Sequence, residues 1–77
     1  MKNLVLDIIQ KMVDYPDQVV ITEVNTPEGK TILDIRVSAQ DIAKVIGKDG
    51  RFFKALRTVV TVMGPGGVDI VLDSPKN

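Results

Sequence analysis

The chain has 77 residues, 44% hydrophobic and 26% charged, with a formal net charge of zero; this is the composition of one small globular domain rather than of a disordered segment. It contains no cysteine and no histidine, which excludes a disulfide framework, a thiolate metal site and Ser–His or Cys–His nucleophilic chemistry. No apolar run approaches the length of a membrane span, and the start lacks the apolar stretch and small-residue cleavage site of a signal peptide, so a cytoplasmic protein is expected.

Residues 4–13 carry an amphipathic helical pattern. Leu4, Val5, Leu6, Ile8, Ile9, Met12 and Val13 fall on one side, and Asp7, Gln10, Lys11 and Asp14 on the other. Pro16 should end this helix, because the residue before a proline avoids the α region. Residues 18–25 are rich in β-branched side chains and read as a strand. Thr26-Pro27-Glu28-Gly29 is a turn. In residues 31–37, Leu33, Ile35 and Val37 alternate with Asp34 and Arg36, the pattern of a strand with one wet face. The two strands should form an antiparallel hairpin.

Ser38 then stands as a helix N-cap, with Asp41 as its capping-box partner three residues on. A short helix follows through about Ile46, and Gly47 sits where a C-terminal glycine would close it. Residues 51–63 predict a second, sharply divided helix. Arg51, Lys54, Arg57, Thr58 and Thr61 occupy an arc of roughly 120°, and Phe52, Phe53, Ala55, Leu56, Val59, Val60, Val62 and Met63 fill the remainder. Gly64-Pro65-Gly66-Gly67 breaks that helix. Val68, Ile70 and Leu72 alternate with Asp69, Val71 and Asp73 in a last strand, and the tail 74–77 is expected to fray. The order is α-β-β-α-α-β, an α+β domain. Its core spans about residues 3–73 of a single domain 1–77, with three helices covering one face of a three-stranded mixed sheet.

Zero net charge hides an asymmetry. Residues 44–57 hold Lys44, Lys48, Arg51, Lys54 and Arg57 against Asp49 alone, a local charge of +4, so the rest of the chain carries −4. An anionic ligand responds to the local field and not to the average. At the centre of this segment lies Ile46-Gly47-Lys48-Asp49-Gly50-Arg51. Glycine allows close approach of another molecule's backbone and permits positive φ. A helix starting just after the turn aims free N–H groups at whatever sits there.

Two glycines three apart recur by chance, and a tight helix–helix turn needs glycine anyway. The context is more specific. An Ile-Gly-x-x-Gly loop, preceded by Val45 and followed at set distances by Phe53 and Leu56, resembles the signature of the KH domain. The element order resembles the type II arrangement over essentially the whole chain. The resemblance implies that Gly47, Lys48, Asp49 and Gly50 clamp the phosphates of about four single-stranded nucleotides. Lys48 supplies charge, and the helix beginning near Arg51 adds N–H donors. It further implies bases lying on an apolar groove, with Ile42, Val45 and Ile46 on one side and a strand carrying Ile35 or Val37 on the other. Lys44, Arg51 and Lys54 extend the basic surface, with Arg57 furthest from the loop. An i, i+3, i+4 apolar set on a short helix is also what plain core packing needs, and a basic helical strip is often just a solvated face.

Asp49 is expected to point outward, and its charge should keep phosphate affinity low. With Tyr15, Phe52 and Phe53 the only aromatics, stacking of the RRM or OB type is not expected. Weak affinity favours multivalency; the wide apolar arc of 51–63 is either central to a small core or a partner-binding edge. The resemblance implies self-association and pairing with a second, larger KH-containing protein. The expected function is single-stranded RNA binding, as a regulator or RNA chaperone, without catalysis, metal or cofactor. A protein-interaction module with RNA binding secondary is the rival reading. An enzyme built on Asp34, Asp69 and Asp73 is the weakest, since these carboxylates read as the wet side of a sheet.

Overall fold

The computed structural model describes residues 1–64 and 66–73. Pro65 of the helix-breaking segment and the tail 74–77 lie outside the described residues. The chain forms α1 (Lys2–Met12), β1 (Val20–Asn25), β2 (Thr31–Arg36), α2 (Ile42–Ile46), α3 (Arg51–Met63) and β3 (Val68–Asp73). One-turn 3-10 segments precede β1, α2 and α3.

Helix α1 starts two residues earlier than its apolar pattern and stops at Met12, where Val13 turns extended. Val5 and Ile9, one turn apart, are fully buried. On the outer side Lys11 pairs with Asp7 at 2.6 Å. The proline after α1 does more than end a helix. It opens a 3-10 turn, Pro16–Gln18, in which the Val19 N–H donates to the Pro16 carbonyl at 3.3 Å. That turn consumes two residues expected in the strand, so β1 begins at Val20.

β1 and β2 pair antiparallel, with Ile21 opposite Ile35 and Val24 opposite Ile32. Gly29 closes their turn with a φ of 83° and an N–H bond to the Thr26 carbonyl at 3.0 Å. β2 is the central strand and pairs parallel to β3, with Leu33 opposite Ile70. The mixed three-stranded sheet is thus as expected.

Alternation sorts the sheet into two faces. Ile21, Leu33, Ile35, Val68 and Ile70 meet Val5 and Ile9 of α1, Val45 of α2 and Leu56 and Val60 of α3 in one core. Val20, Val24 and Val71 are exposed on the opposite, uncovered face. The helices therefore cover one face only. α3 runs back along the sheet from the end where β2 hands over to α2, which leaves its N-terminus and the preceding loop at the surface.

Candidate nucleic-acid interface

The loop between α2 and α3 has a geometry that its sequence explains residue by residue. Gly47 closes α2 with φ 78° and ψ 173°, its N–H bonded to the Ala43 carbonyl at 2.9 Å. A Cβ at this position would stand 2.7 Å from Phe52 Cβ and 2.9 Å from the Phe52 nitrogen. Only glycine satisfies both the dihedral and the space. Asp49 has φ 57° and ψ 24°, and is the one non-glycine residue with positive φ among the described residues. Aspartate tolerates this left-handed conformation better than most residues, which gives Asp49 a conformational reason to be there. Gly50 follows at φ 74° and ψ 11°. Its missing Cβ would meet nothing closer than Lys54 Cε at 3.8 Å, so Gly50 serves the dihedral and leaves the outer surface of the loop bare.

Helix α3 starts at Arg51 without a side-chain cap, so no side chain competes for the orphan N–H groups of its first turn. The Lys54 stem lies over Gly50, which places Lys48, Arg51 and Lys54 around one loop. Among the described residues none of these three makes an ion pair.

The other two members of the basic segment are engaged. Lys44 Nζ bonds Asp14 Oδ2 at 2.5 Å, and this hydrogen bond, with the Asp14 charge behind it, raises the Lys44 pKa above its ordinary value. Arg57 donates from Nε to Asp69 at 3.0 Å and from its terminal nitrogen to the Ile70 carbonyl at 3.2 Å. Arg57 also lies 5.3 Å from the Phe53 ring centre. It thus ties α3 to β3.

Of the apolar groove candidates, Ile46 is 39% exposed and Ile42 half-buried, whereas Val45, Ile35 and Val37 lie in the core. Only the first two can offer surface to a base; the others support the groove from beneath.

Asp41 is a correction. It was expected to complete a capping box with Ser38. Ser38 does cap, accepting from the Gln40 N–H at 3.4 Å. The Asp41 carboxylate instead turns inward, is fully buried, and accepts the N–H groups of Asp14 and Tyr15 at 3.0 Å each. Two consecutive main-chain amides just after α1 thus share the carboxylate that a capping box would have turned toward a single local amide. No sequence signal marks this clamp, since its partners stand 26 and 27 residues away.

The apolar arc of α3 proves to be two strips. Leu56 and Val60 are buried, and Phe52 and Phe53 pack partly against the core. Val59, Val62 and Met63 are exposed, Val62 by 79%. The three carboxylates of the enzyme reading are engaged in ion pairs: Asp73 with Arg36 at 2.9 Å, Asp34 with Arg36 at 3.8 Å, and Asp69 with Arg57.

Comparison with known proteins agrees with this architecture. Residues 2–65 match the family model described as KhpA/KhpB, KH domain. The RNA-binding protein KhpA of Clostridium acetobutylicum is 48% identical over 60 residues, covering 78% of this chain and 79% of its own length. The KhpA of Clostridium perfringens is 50% identical over the same shares. That of Leifsonia xyli is 41% identical over 69 residues, covering 86% of this chain and 90% of its own. No solved structure matches the chain significantly.

Proposed function

Because this chain belongs to the KhpA/KhpB KH-domain family, we propose that it binds single-stranded RNA by clamping the phosphate backbone on the Gly47–Gly50 loop. The observation that carries this reading is the loop itself. It is bare at Gly50, fixed against Phe52 at Gly47, set before an uncapped helix N-terminus, and ringed by three cations that have no carboxylate partner among the described residues. Lys48 and Arg51 reach phosphate oxygens, Lys54 lies behind them, and the first-turn amides of α3 add donors. Bases lie along α2 against Ile46 and Ile42. Lys44, held by Asp14, acts through the field rather than by contact.

Two or three neutralised phosphates give low affinity from one module. Two modules on one RNA raise avidity without new contacts. The exposed strip Val59, Val62 and Met63 is the surface through which two copies associate. It lies in the C-terminal half of α3, whereas the loop precedes the N-terminus of that helix. In this reading the protein works in the cytoplasm as a post-transcriptional regulator or RNA chaperone, without catalysis or cofactor. It pairs both with itself and with a larger KH protein of the KhpB/Jag type. The second reading, a protein-interaction module with secondary RNA binding, is favoured by Asp49 and by that same apolar strip.

Titration of the isotope-labelled protein with a short single-stranded RNA separates the two. The clamp predicts amide shift changes concentrated at residues 47–54 and at Ile46. Changes confined to α3 beyond Val59 would favour the interaction module.

A further inference from the structure

A three-stranded sheet leaves two strand edges with unpaired main-chain groups, and such edges recruit strands from other molecules. The two edges here are treated differently. The Thr31 N–H donates to the Gly67 carbonyl at 3.1 Å, so alternate residues from Gly67 onward turn their main chain toward β2. Val68, Ile70 and Leu72 therefore turn theirs toward the free edge of β3. At the middle of that edge both groups of Ile70 are already taken. Its N–H donates to Asp69 Oδ1 at 2.8 Å, and its carbonyl accepts from Arg57 at 3.2 Å. The same Asp69 oxygen accepts from Arg57 Nε at 3.0 Å, which closes the set.

The placement is unusual for a surface ion pair. Asp69 sits with Val71 and Asp73 on the uncovered face of the sheet, while Arg57 comes from the helix that covers the other face. The guanidinium therefore wraps around the strand edge, steadied against Phe53 at 5.3 Å. Ile70 has no exposed surface (0%) although it lies on an outer strand. At the opposite edge, β1 carries a single charged residue, Glu23, exposed on the same face as Ile21. That is the simpler device of a charge on an edge strand.

We infer that Arg57 and Asp69 form an edge lock that closes β3 to strand addition, so that copies of this chain cannot associate by extending the sheet. Arg57 belongs by this account to the sheet edge and not to the basic surface at the loop. The inference stands independently of the RNA reading.

The test uses Arg57→Met and Asp69→Ala in the full chain. Asp69→Ala should speed amide exchange at Ile70 about tenfold, the loss of one net hydrogen bond. Both variants should form larger species as concentration rises, and adding Val62→Asp should not suppress them, because the new contact is through β3. RNA affinity should stay within about twofold of wild type, since no phosphate contact is removed. Arg57→Lys, which keeps the charge and the stem but cannot bridge both partners, should also form the larger species if Arg57→Met does not fold. Wild-type sedimentation in every folded variant would overturn the lock. So would a loss of RNA binding in Arg57→Met equal to that of Lys48→Asp, which would return Arg57 to the RNA surface.

Discussion

Gly47 is pressed against Phe52: a Cβ on the first would stand 2.7 Å from the Cβ of the second. The two loop glycines therefore do different work. Gly47 fixes how α2 meets α3, and Gly50 keeps the outer surface open. Gly47→Ala combines left-handed strain with a clash against backbone and should cost about 3 kcal/mol. Gly50→Ala meets only strain and should cost about 1 kcal/mol. Urea midpoints of the two variants check this ordering.

Asp49 occupies a left-handed position, so its charge and its conformation are separable. Asp49→Asn keeps the preference for that region and removes the negative charge. It should leave stability unchanged and raise RNA affinity by about two- to fivefold at low salt, the scale of one screened charge interaction. Asp49→Ala removes the same charge at a cost of about 1 kcal/mol in stability. Anisotropy titrations beside thermal melts distinguish the two effects.

Asp41 holds two main-chain amides from a buried position. Asp41→Ala strands both and should destabilise the domain by about 2–4 kcal/mol. Asp41→Asn retains one acceptor oxygen and should cost less. Because the clamp fixes the start of α2 and not the loop, RNA binding at temperatures where both variants are folded should change little.

The folding pattern was largely written in local sequence. α3 and β3 run between the bounds that Gly50, Gly64 and the alternation from Val68 mark, because periodicity and breakers agree there. The departures from the local pattern have two causes, one local and one tertiary. β1 starts late because Pro16 builds a turn of its own, and Asp41 leaves its expected capping box for partners on a distant segment. Arg57 leaves the basic strip for Asp69 on β3. In each of these last two, a polar side chain finds a partner that only the tertiary fold brings near. In the loop, the glycine spacing was legible, whereas the left-handed conformation of Asp49 was hidden behind its charge. The division of the α3 arc at Val59 was open in the sequence, since periodicity cannot tell a buried apolar strip from an exposed one.

Val62 is 79% exposed on the outer strip of α3. Val62→Asp should abolish self-association in sedimentation experiments while leaving the fold intact, because it buries no charge in the core. Affinity for an RNA long enough to hold two modules should then fall toward that of a single-site RNA, since avidity and not contact is lost.

If the loop after α2 is the phosphate clamp, charge reversal at Lys48 should weaken RNA binding without touching the fold. The most direct test is anisotropy titration of a short single-stranded RNA with wild type and Lys48→Asp, at two salt concentrations. Lys48 is exposed and makes no ion pair among the described residues, so the variant should melt as the wild type does. Affinity should fall by at least about tenfold, with a salt dependence shallower by about one counterion. Undiminished binding with an unchanged salt slope would contradict the clamp.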